Sequence, residues 1–233
     1  TVPMRKDMHF AVESITDAMA GGCRMLLLSS PSNPVGTMIN GTDLLRIARN
    51  ADPGSLLVID EAYFEYARED DDYPDSLSLL AEGNAPYVIL RTFSKAYGIA
   101  GARVGYGIFS DPHLAAAVDK LRTPFNINRI AQAAALAALD DVEHLEKTLG
   151  HNRAERERMS AELERRGFFV APSSANFLFF DAGVESAPVA EDLLQRGIVV
   201  KPWSQPGYQR FIRVSVGSRE DNDFFLSALA ELL

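Results

Sequence analysis

Cysteine is almost absent from this 233-residue chain. The single residue, Cys23, cannot form an internal disulfide bond, which favours a reducing compartment such as the cytoplasm. No apolar run approaches the roughly 20 residues that a membrane-spanning helix needs. Basic residues are also outnumbered, since 23 Lys and Arg stand against 32 Asp and Glu, for a net charge of −9. Nucleic acids bind proteins through clustered cations, so neither a membrane nor a nucleic acid is expected as a partner.

What remains is an ordinary globular composition, with 47% hydrophobic and 24% charged residues. The length suits one large domain or two smaller ones, enough to bury a substantial core without disulfides. The sequence has no internal repeat and no linker rich in Pro and Gly. The composition therefore predicts a folded protein but leaves most classes of enzyme open.

The first half of the chain alternates short apolar runs with helical patterns. The predicted strands are Met25–Ser29, 56–59, 88–92 and 104–109. Between the first two strands, residues 42–51 have apolar residues at helical spacing, and Thr42 is placed to cap that helix. Strands that alternate with helices in this way predict an α/β fold, with a mainly parallel sheet covered by helices.

The second half predicts a smaller α+β domain joined to the first half by long helices. The predicted helices are 127–139, a long one ending near Arg166, 189–196 and 220–232, and the predicted strands are 168–171, 176–180, 198–201 and 211–216. Gly167 is a natural stop for the long helix. We predict a large domain over 1–125, connecting helices over 126–166 and a small domain over 167–233.

The first three predicted strands each end in residues that can do chemistry. A turn after the first strand presents Asn33 between two prolines, the second strand ends in Asp60-Glu-Ala-Tyr63, and Ser94-Lys95 follows the third. In an open parallel sheet, ligands bind beyond the carboxyl ends of the strands. We therefore expect these three segments to meet in one crevice.

Lys95 and its neighbours have the character of a nucleophilic amine beside an anion site. Because Lys95 lies among Ser, Thr and Gly residues rather than on a polar helix face, it is a candidate for a desolvated amine that attacks carbonyl groups. Thr92 and Ser94 add hydroxyls close to it. Arg103, in a Gly-rich turn eight residues on, can bind a phosphate with two hydrogen bonds.

The other strand ends supply partners for a heterocyclic ring. Asp60, at the end of an apolar strand, needs a cationic partner to stay ionised, and a protonated ring nitrogen would be one. Tyr63 and Asn33 can hydrogen-bond a phenolic oxygen on the same ring. Pyridoxal phosphate is the cofactor that combines an aldehyde, a phosphate, a ring nitrogen and a phenolic oxygen.

Four segments, in this order and spacing, resemble the motif series of the class I/II aminotransferases of fold type I, and among them most closely the histidinol-phosphate aminotransferase group. The segments are Ser-Asn-Pro-Val-Gly (32–36), Asp-Glu-Ala-Tyr (60–63), Ser-Lys-Ala-Tyr-Gly-Ile-Ala-Gly-Ala-Arg-Val-Gly-Tyr (94–106) and Phe-Ile-Arg-Val-Ser-Val-Gly (211–217). The resemblance extends over nearly the whole chain. It implies pyridoxal phosphate as the cofactor and a large cofactor-binding domain followed by a small one.

The same resemblance implies a role for each candidate residue. Lys95 would form a Schiff base with the cofactor and move the proton, Asp60 would hold the ring nitrogen, and Arg213 would bind the substrate carboxylate. The other implied contacts are Asn33 and Tyr63 with the ring oxygen, and Ser94, Arg103 and the weaker candidate Thr92 with the phosphate.

The implied reaction is reversible transfer of an amino group between an amino acid or amino-phosphate and a 2-oxo acid such as 2-oxoglutarate. Members of the group that handle a substrate phosphate often have an Arg near the position of Lys201, and Lys cannot replace its two-pronged hydrogen bonding. Lys201 is therefore a weak candidate for substrate binding. Histidinol phosphate and an aromatic amino acid both stay open as the amino donor.

Family members are longer at the N-terminus, so the resemblance implies an incomplete large domain and a fragment, a trimmed product or a short form. Decarboxylation on the same fold, or a non-catalytic form, are the alternatives.

A homodimer is expected from the resemblance, and no metal is implied. A hydrolase using Ser94 with Lys95 ranks low because its motifs are missing. The acidic run 69–72 is expected to be a solvated loop.

Overall fold

The computed structural model describes residues 1–233 as nine α-helices, one short 3-10 helix and eight strands in two sheets. The helices are α1 Val12–Ala20, α2 Gly41–Asn50, α3 Phe64–Ala67, α4 Ser76–Leu80, α5 Pro112–Asp119, α6 Arg129–Asp140, α7 Val142–Arg165, α8 Ser186–Gln195 and α9 Arg219–Leu232. The strands are β1 Met25–Ser29, β2 Leu56–Asp60, β3 Tyr87–Thr92, β4 Gly105–Phe109, β5 Phe169–Val170, β6 Phe177–Asp181, β7 Lys201–Pro202 and β8 Phe211–Ser215. None of the helices combines the length and the apolar character needed to cross a membrane.

The first sheet has the strand order β1-β2-β3-β4. The first three strands are parallel, as the alternation of strands and helices predicts, and β4 pairs antiparallel with β3. A parallel return needs a crossover of a dozen or more residues, usually a helix, whereas only a short 3-10 helix, Ala100–Ala102, lies between these two strands. The apolar core on one face includes Leu28, Ile59 and Ile89 from the strands and Leu44 and Ile47 from α2.

The helix between β1 and β2 begins one residue earlier than predicted, and Thr42 does not cap it. Asn40 is the N-cap, because its side-chain oxygen accepts a hydrogen bond from the backbone N–H of Asp43 at 2.9 Å. Asn is as good an N-cap as Thr or better. The prediction of Thr42 was therefore wrong in position. The short helices α3 and α4, and α1 near the N-terminus, were not predicted from the sequence.

The second sheet has the strand order β5-β6-β8-β7 and is antiparallel throughout. Strand β6, one of its two central strands, is buried on both faces. Leu178 and Phe180 belong to the core under α7, α8 and α9, whereas Phe177 and Phe179 face the opposite way, towards the first half of the chain. A sheet buried on both faces explains the unbroken apolar run in β6.

In the second half, one predicted strand is much shorter than expected and the end of the long helix is confirmed. The strand predicted at 198–201 is confined to Lys201–Pro202, because pairing with β8 begins only where Lys201 lies opposite Arg213. The long helix ends as predicted: Gly167 has φ +88°, and its N–H bonds to the carbonyl of Glu164. The domain bounds 1–125, 126–166 and 167–233 stay a prediction.

Glu155 joins α7 to α9 through a buried carboxylate with a full set of partners. Its Oε2 accepts hydrogen bonds from Arg158 at 2.6 Å and from the amide of Asn222 at 2.9 Å, and Arg219 approaches Oε1 at 3.3 Å. Only 6% of its side chain is exposed. The hydrogen bond from Arg158, supported by Asn222, lowers the pKa of Glu155 to about 2.

This lowered pKa makes Glu155 a contributor to stability in a defined pH range. The contribution is complete above the ordinary Glu pKa of 4.5 and is lost as the pH falls from there through about 2. We expect Glu155→Gln to lower the free energy of unfolding by about 1–3 kcal/mol at pH 7 and by roughly half as much at pH 3, which lies between the two pKa values. Urea unfolding at the two pH values measures this. Glu157→Gln, which breaks an exposed pair on the same helix, is the control and is expected to cost under about 0.5 kcal/mol.

Candidate active site

The parallel pairing of β1, β2 and β3 brings the three chemically active segments to one edge of the sheet. In the register, Ser29 lies opposite Asp60 and Asp60 lies opposite Leu90, so β1 and β2 end level with each other and β3 continues two residues further, to Thr92. The segments that follow them therefore emerge side by side, as the sequence predicts.

A cavity of about 400 Å³ opens at this edge, and five of the predicted residues line it. They are Asp60, Thr92, Ser94, Lys95 and Arg103, and the remaining lining residues are Ala62, Leu90, Arg91 and Ala100. A primary amine, a carboxylate, two hydroxyls and a guanidinium thus face one space. This is the donor set expected for a ligand with an aldehyde, a basic ring nitrogen and a phosphate.

Asp60 is held by the backbone that follows it. Its Oδ1 accepts a hydrogen bond from the N–H of Ala62 at 3.0 Å, and it forms no ion pair with a cationic side chain of this chain. The residue is half-buried rather than buried. The carboxylate is consequently fixed in orientation and retains acceptor capacity towards the cavity.

Thr92, Ser94 and Arg103 form a hydrogen-bonded group on one side of the cavity. Thr92 Oγ1 accepts from the N–H of Ser94 at 3.1 Å and lies 3.0 Å from Ser94 Oγ, while Arg103 Nη1 lies 3.5 Å from the same hydroxyl and donates to the carbonyl of Ala100 at 2.7 Å. Arg103 has φ +54°, in the left-handed region that side chains other than Gly rarely adopt. A strained backbone held by local hydrogen bonds keeps this guanidinium next to the hydroxyls.

Tyr63 lies beneath Lys95. The Lys95 Nζ is 5.2 Å from the centre of the Tyr63 ring, within the range of a cation–π interaction. Tyr63 is 3% exposed and packs edge-on against Phe177 of β6, with ring centres 5.2 Å apart. The aromatic pair therefore connects the lysine to the second sheet.

Arg213 and Asn33 meet across 180 residues of sequence. Arg213 Nη1 donates to Asn33 Oδ1 at 2.6 Å, and the guanidinium carbon lies 5.1 Å from the centre of the Phe177 ring. Lys201, opposite Arg213 in the register, is exposed, and its side chain forms neither a hydrogen bond nor an ion pair. Asn33 and Arg213 therefore sit together beside the Tyr63–Phe177 pair but outside the lining of the 400 Å³ cavity.

The turn that carries Asn33 is docked on the segment before β6. Thr37 Oγ1 donates to the carbonyl of Pro172 at 3.0 Å, and the N–H of Ser174 donates to the carbonyl of Gly36 at 2.9 Å. Gly36 has φ +96°, and a Cβ placed on it would lie 2.3 Å from Ser173 Oγ. Only glycine fits both the conformation and the contact.

Two charged residues of the site region were missed by the sequence reasoning. Arg91 lines the cavity, and its Nε and Nη2 both lie 2.8 Å from Oε2 of the buried Glu61. The motif Asp60-Glu-Ala-Tyr63 contains Glu61, but no pattern along the chain pairs it with Arg91. The acidic run 69–72 is exposed, as expected, and lines a separate polar cavity together with Arg153 and Arg156.

Comparison with known proteins gives consistent matches. The family model described as aminotransferase class I and II matches residues 1–229. The chain is 48% identical over 232 residues to histidinol-phosphate aminotransferase 1 of Mesorhizobium japonicum, covering all of this chain and 63% of that protein. It is 48% identical over 231 residues to histidinol-phosphate aminotransferase 3 of Rhizobium meliloti, covering 99% of this chain and 62% of that protein. The chain therefore spans less than two thirds of the length of these relatives.

Solved structures agree with these matches. The crystal structure of histidinol-phosphate aminotransferase from Sinorhizobium meliloti in complex with pyridoxal-5'-phosphate superimposes with a TM-score of 0.88 at 31% identity, covering all of this chain and 64% of that one. The enzyme of the same name from Clostridium acetobutylicum gives 0.89 at 26% identity, covering 98% of this chain and 69% of that one. The fold is accordingly that of the fold type I enzymes, a large α/β domain with a smaller α+β domain.

The contact at Gly36 yields a prediction about the Asn33 turn. Gly36→Ala adds a Cβ that must displace Ser173, so we expect it to lower the free energy of unfolding by about 1–3 kcal/mol more than Gly183→Ala does. Gly183 is the matched control because it also has positive φ but nothing within 4 Å of an added Cβ. Urea unfolding of both variants measures the difference, and equal losses would contradict the docking of this turn.

Proposed function

Because the chain belongs to the aminotransferase class I and II family, we propose that it acts as a pyridoxal-phosphate-dependent aminotransferase. The observation that carries the proposal is the single cavity lined by Lys95, Asp60, Ser94 and Arg103 at the carboxyl ends of parallel strands. The names of the 48% identical relatives support histidinol phosphate as the amino donor, with a 2-oxo acid such as 2-oxoglutarate as the acceptor.

The residues that line the cavity fit pyridoxal phosphate group by group. Lys95 offers a primary amine to the aldehyde, Asp60 a carboxylate to the ring nitrogen, and Ser94 and Arg103 offer hydroxyl and guanidinium donors to the phosphate, with Thr92 behind Ser94. When bound, the cofactor supplies an electron sink that stabilises negative charge on the carbon bearing the amino group.

Each side chain then has a defined task. Lys95 Nζ would hold the cofactor through its aldehyde and would serve as the general acid and base, taking up and returning a proton at its own nitrogen. The Asp60 carboxylate, oriented by the N–H of Ala62, keeps a proton on the ring nitrogen. Tyr63 supports the amine from below and offers its hydroxyl to the ring oxygen together with Asn33.

Arg213 is proposed to bind the substrate anion. Its guanidinium retains donors beyond the one used on Asn33, and a carboxylate or phosphate takes two of them at once. Since the Asn33 amide touches both Arg213 and, in this proposal, the cofactor ring, anion binding and ring binding share a residue. Lys201, on the same face of the sheet, is the weaker second cation for a substrate phosphate.

The active form is proposed to be a homodimer in the cytoplasm. Support for a partner subunit comes from large apolar side chains that are exposed on and before α6, including Leu121 at 85%, Phe125 at 99% and Ile130 at 83%. Exposed apolar clusters of this kind are typical of protein interfaces. A single free cysteine, Cys23, is consistent with a reducing compartment.

The proposed role of Lys95 predicts covalent attachment of the cofactor at one lysine. After incubation with pyridoxal phosphate and reduction with borohydride, the peptide containing Lys95 is expected to gain the mass of the reduced adduct. Lys95→Ala is expected to lose the adduct and the visible absorbance of the bound cofactor. Lys120→Ala, at an exposed lysine after α5, is expected to keep both. An adduct of full yield in Lys95→Ala would overturn the assignment.

The proposed anion site predicts different kinetic effects for the loss of Arg213 and the loss of Lys201. We expect Arg213→Ala to raise the KM for 2-oxoglutarate about 10- to 100-fold, because it removes the hydrogen bonds to a charged group of the substrate. The affinity for pyridoxal phosphate is expected to change by less than about threefold, because Arg213 reaches the cofactor only through its hydrogen bond to Asn33. Lys201→Ala is expected to raise the KM for histidinol phosphate and to leave that for phenylalanine unchanged. Steady-state kinetics with each donor measures both effects. Equal losses of cofactor and substrate affinity in Arg213→Ala would remove Arg213 from this role.

A further inference from the structure

Behind the cavity wall lies a buried group of charges that the proposed mechanism does not use. Glu61 follows Asp60 directly, and its N–H continues the strand ladder by donating to the carbonyl of Leu90 at 2.8 Å. Successive residues of an extended strand point to opposite faces. The Glu61 side chain, 1% exposed, therefore lies on the far side of the wall from Asp60.

Glu61 pairs there with Arg91, the residue before Thr92 on the neighbouring strand. Both Nε and Nη2 of Arg91 lie 2.8 Å from Glu61 Oε2, and the guanidinium carbon is 3.3 Å from the centre of the Phe64 ring. The ion pair thus joins the carboxyl end of β2 to that of β3, one residue away from Asp60 on one strand and from Thr92 on the other. The Arg91 side chain as a whole is only 13% exposed.

The polar groups around this ion pair lower the stability of the fold. Glu61 Oε1, Glu65 Oε2 and the Tyr73 hydroxyl are all buried without a hydrogen-bond partner. Burial raises the pKa of Glu65, and burial together with the negative charge of Glu61 raises that of Tyr73. Unsatisfied buried polar atoms cost stability, and apolar residues would often fill such a space at least as favourably.

We propose that Glu61 and Arg91 are positioning residues, whose ion pair sets the ends of β2 and β3 and thereby the placement of Asp60 against Thr92 and Ser94. The proposal rests on the proposed function for its catalytic meaning. Its structural content stands on the wall itself: the two strands that bear the site residues are also tied by a desolvated ion pair, in which Arg91 lines the cavity and Glu61 is buried behind it. A fixed separation of the two strands keeps the carboxylate and the hydroxyls at the spacing that one ligand requires.

Glu61→Gln tests the proposal, because it removes the charge and keeps the shape. Three quantities are measured: amide hydrogen exchange of the protein without cofactor, the Kd for pyridoxal phosphate, and the pH midpoint of the visible absorbance of bound cofactor. The amides to follow are those of Ala62 and Ser94, which bond to Asp60 Oδ1 and Thr92 Oγ1.

The proposal expects faster exchange at Ala62 and Ser94 relative to Val214 in the second sheet, a Kd raised about tenfold, and a displaced pH midpoint. Glu82→Gln, which breaks an exposed Glu–Arg pair, is expected to change none of these. A Glu61→Gln protein that melts earlier but matches the wild type in all three quantities would show a merely structural pair and overturn the proposal.

Two further arms keep the result decisive. If Glu61→Gln does not fold, Arg91→Lys is measured in the same way, since it retains the charge but loses the two-pronged contact and the stacking on Phe64. If the wild-type chain takes up no pyridoxal phosphate, the proposed function fails, and the exchange rates of Ala62 and Ser94 alone decide whether the pair positions the wall.

Discussion

Parallel pairing of β1, β2 and β3 is the constraint on which the site depends. The carboxyl ends of neighbouring parallel strands lie at the same edge of the sheet, so the segments that follow the strands emerge there together. The Asn33 turn, the Asp60 to Tyr63 segment and the Lys95 loop are far apart in sequence and share no local contact that would gather them. A shift of one strand by a single residue would turn Asp60 away from the cavity and bring Glu61 in its place. The hydrophobic face of the sheet, packed under α1, α2 and α4, opposes such a shift.

The second sheet contributes to the site because its strand β6 is buried on both faces. Leu178 and Phe180 anchor β6 in its own core, which leaves Phe177 and Phe179 free to face the first half of the chain. Phe177 then touches both Tyr63 and Arg213, so one apolar side chain sets the distance between the proposed cofactor contact and the proposed anion contact. The direct hydrogen bond from Arg213 to Asn33 also fixes the orientation of these two side chains. Gly36 allows the Asn33 turn to come close enough for it.

Features that depend on one segment of the chain could be predicted from the sequence, whereas features that depend on the pairing of two segments could not. The strands of the first sheet are short apolar runs, and the stop at Gly167 is a local property of one residue, so both could be predicted. The helix cap was predicted at Thr42 instead of Asn40, because both residue types are good N-caps and only the backbone geometry decides between them. The true extent of β7 depends on β8, and the Arg91 partner of Glu61 depends on the β2–β3 register. Neither is visible along a single segment.

The two buried glutamates Glu155 and Glu61 differ in how completely their carboxylates are hydrogen-bonded. Glu155 has three cationic or amide partners and a pKa lowered to about 2, so its desolvation is offset and its carboxylate joins two helices far from the cavity. Glu61 is as deeply buried, yet one of its oxygens has no partner, and two further unsatisfied oxygens lie close by. A sequence selected for stability alone would favour the first arrangement at both places. The second arrangement stands directly behind the cavity wall, where fixing two strand ends matters more than the energy of the pair, and an incompletely satisfied charge is tolerated there because the helices and sheets elsewhere in the chain supply the stability.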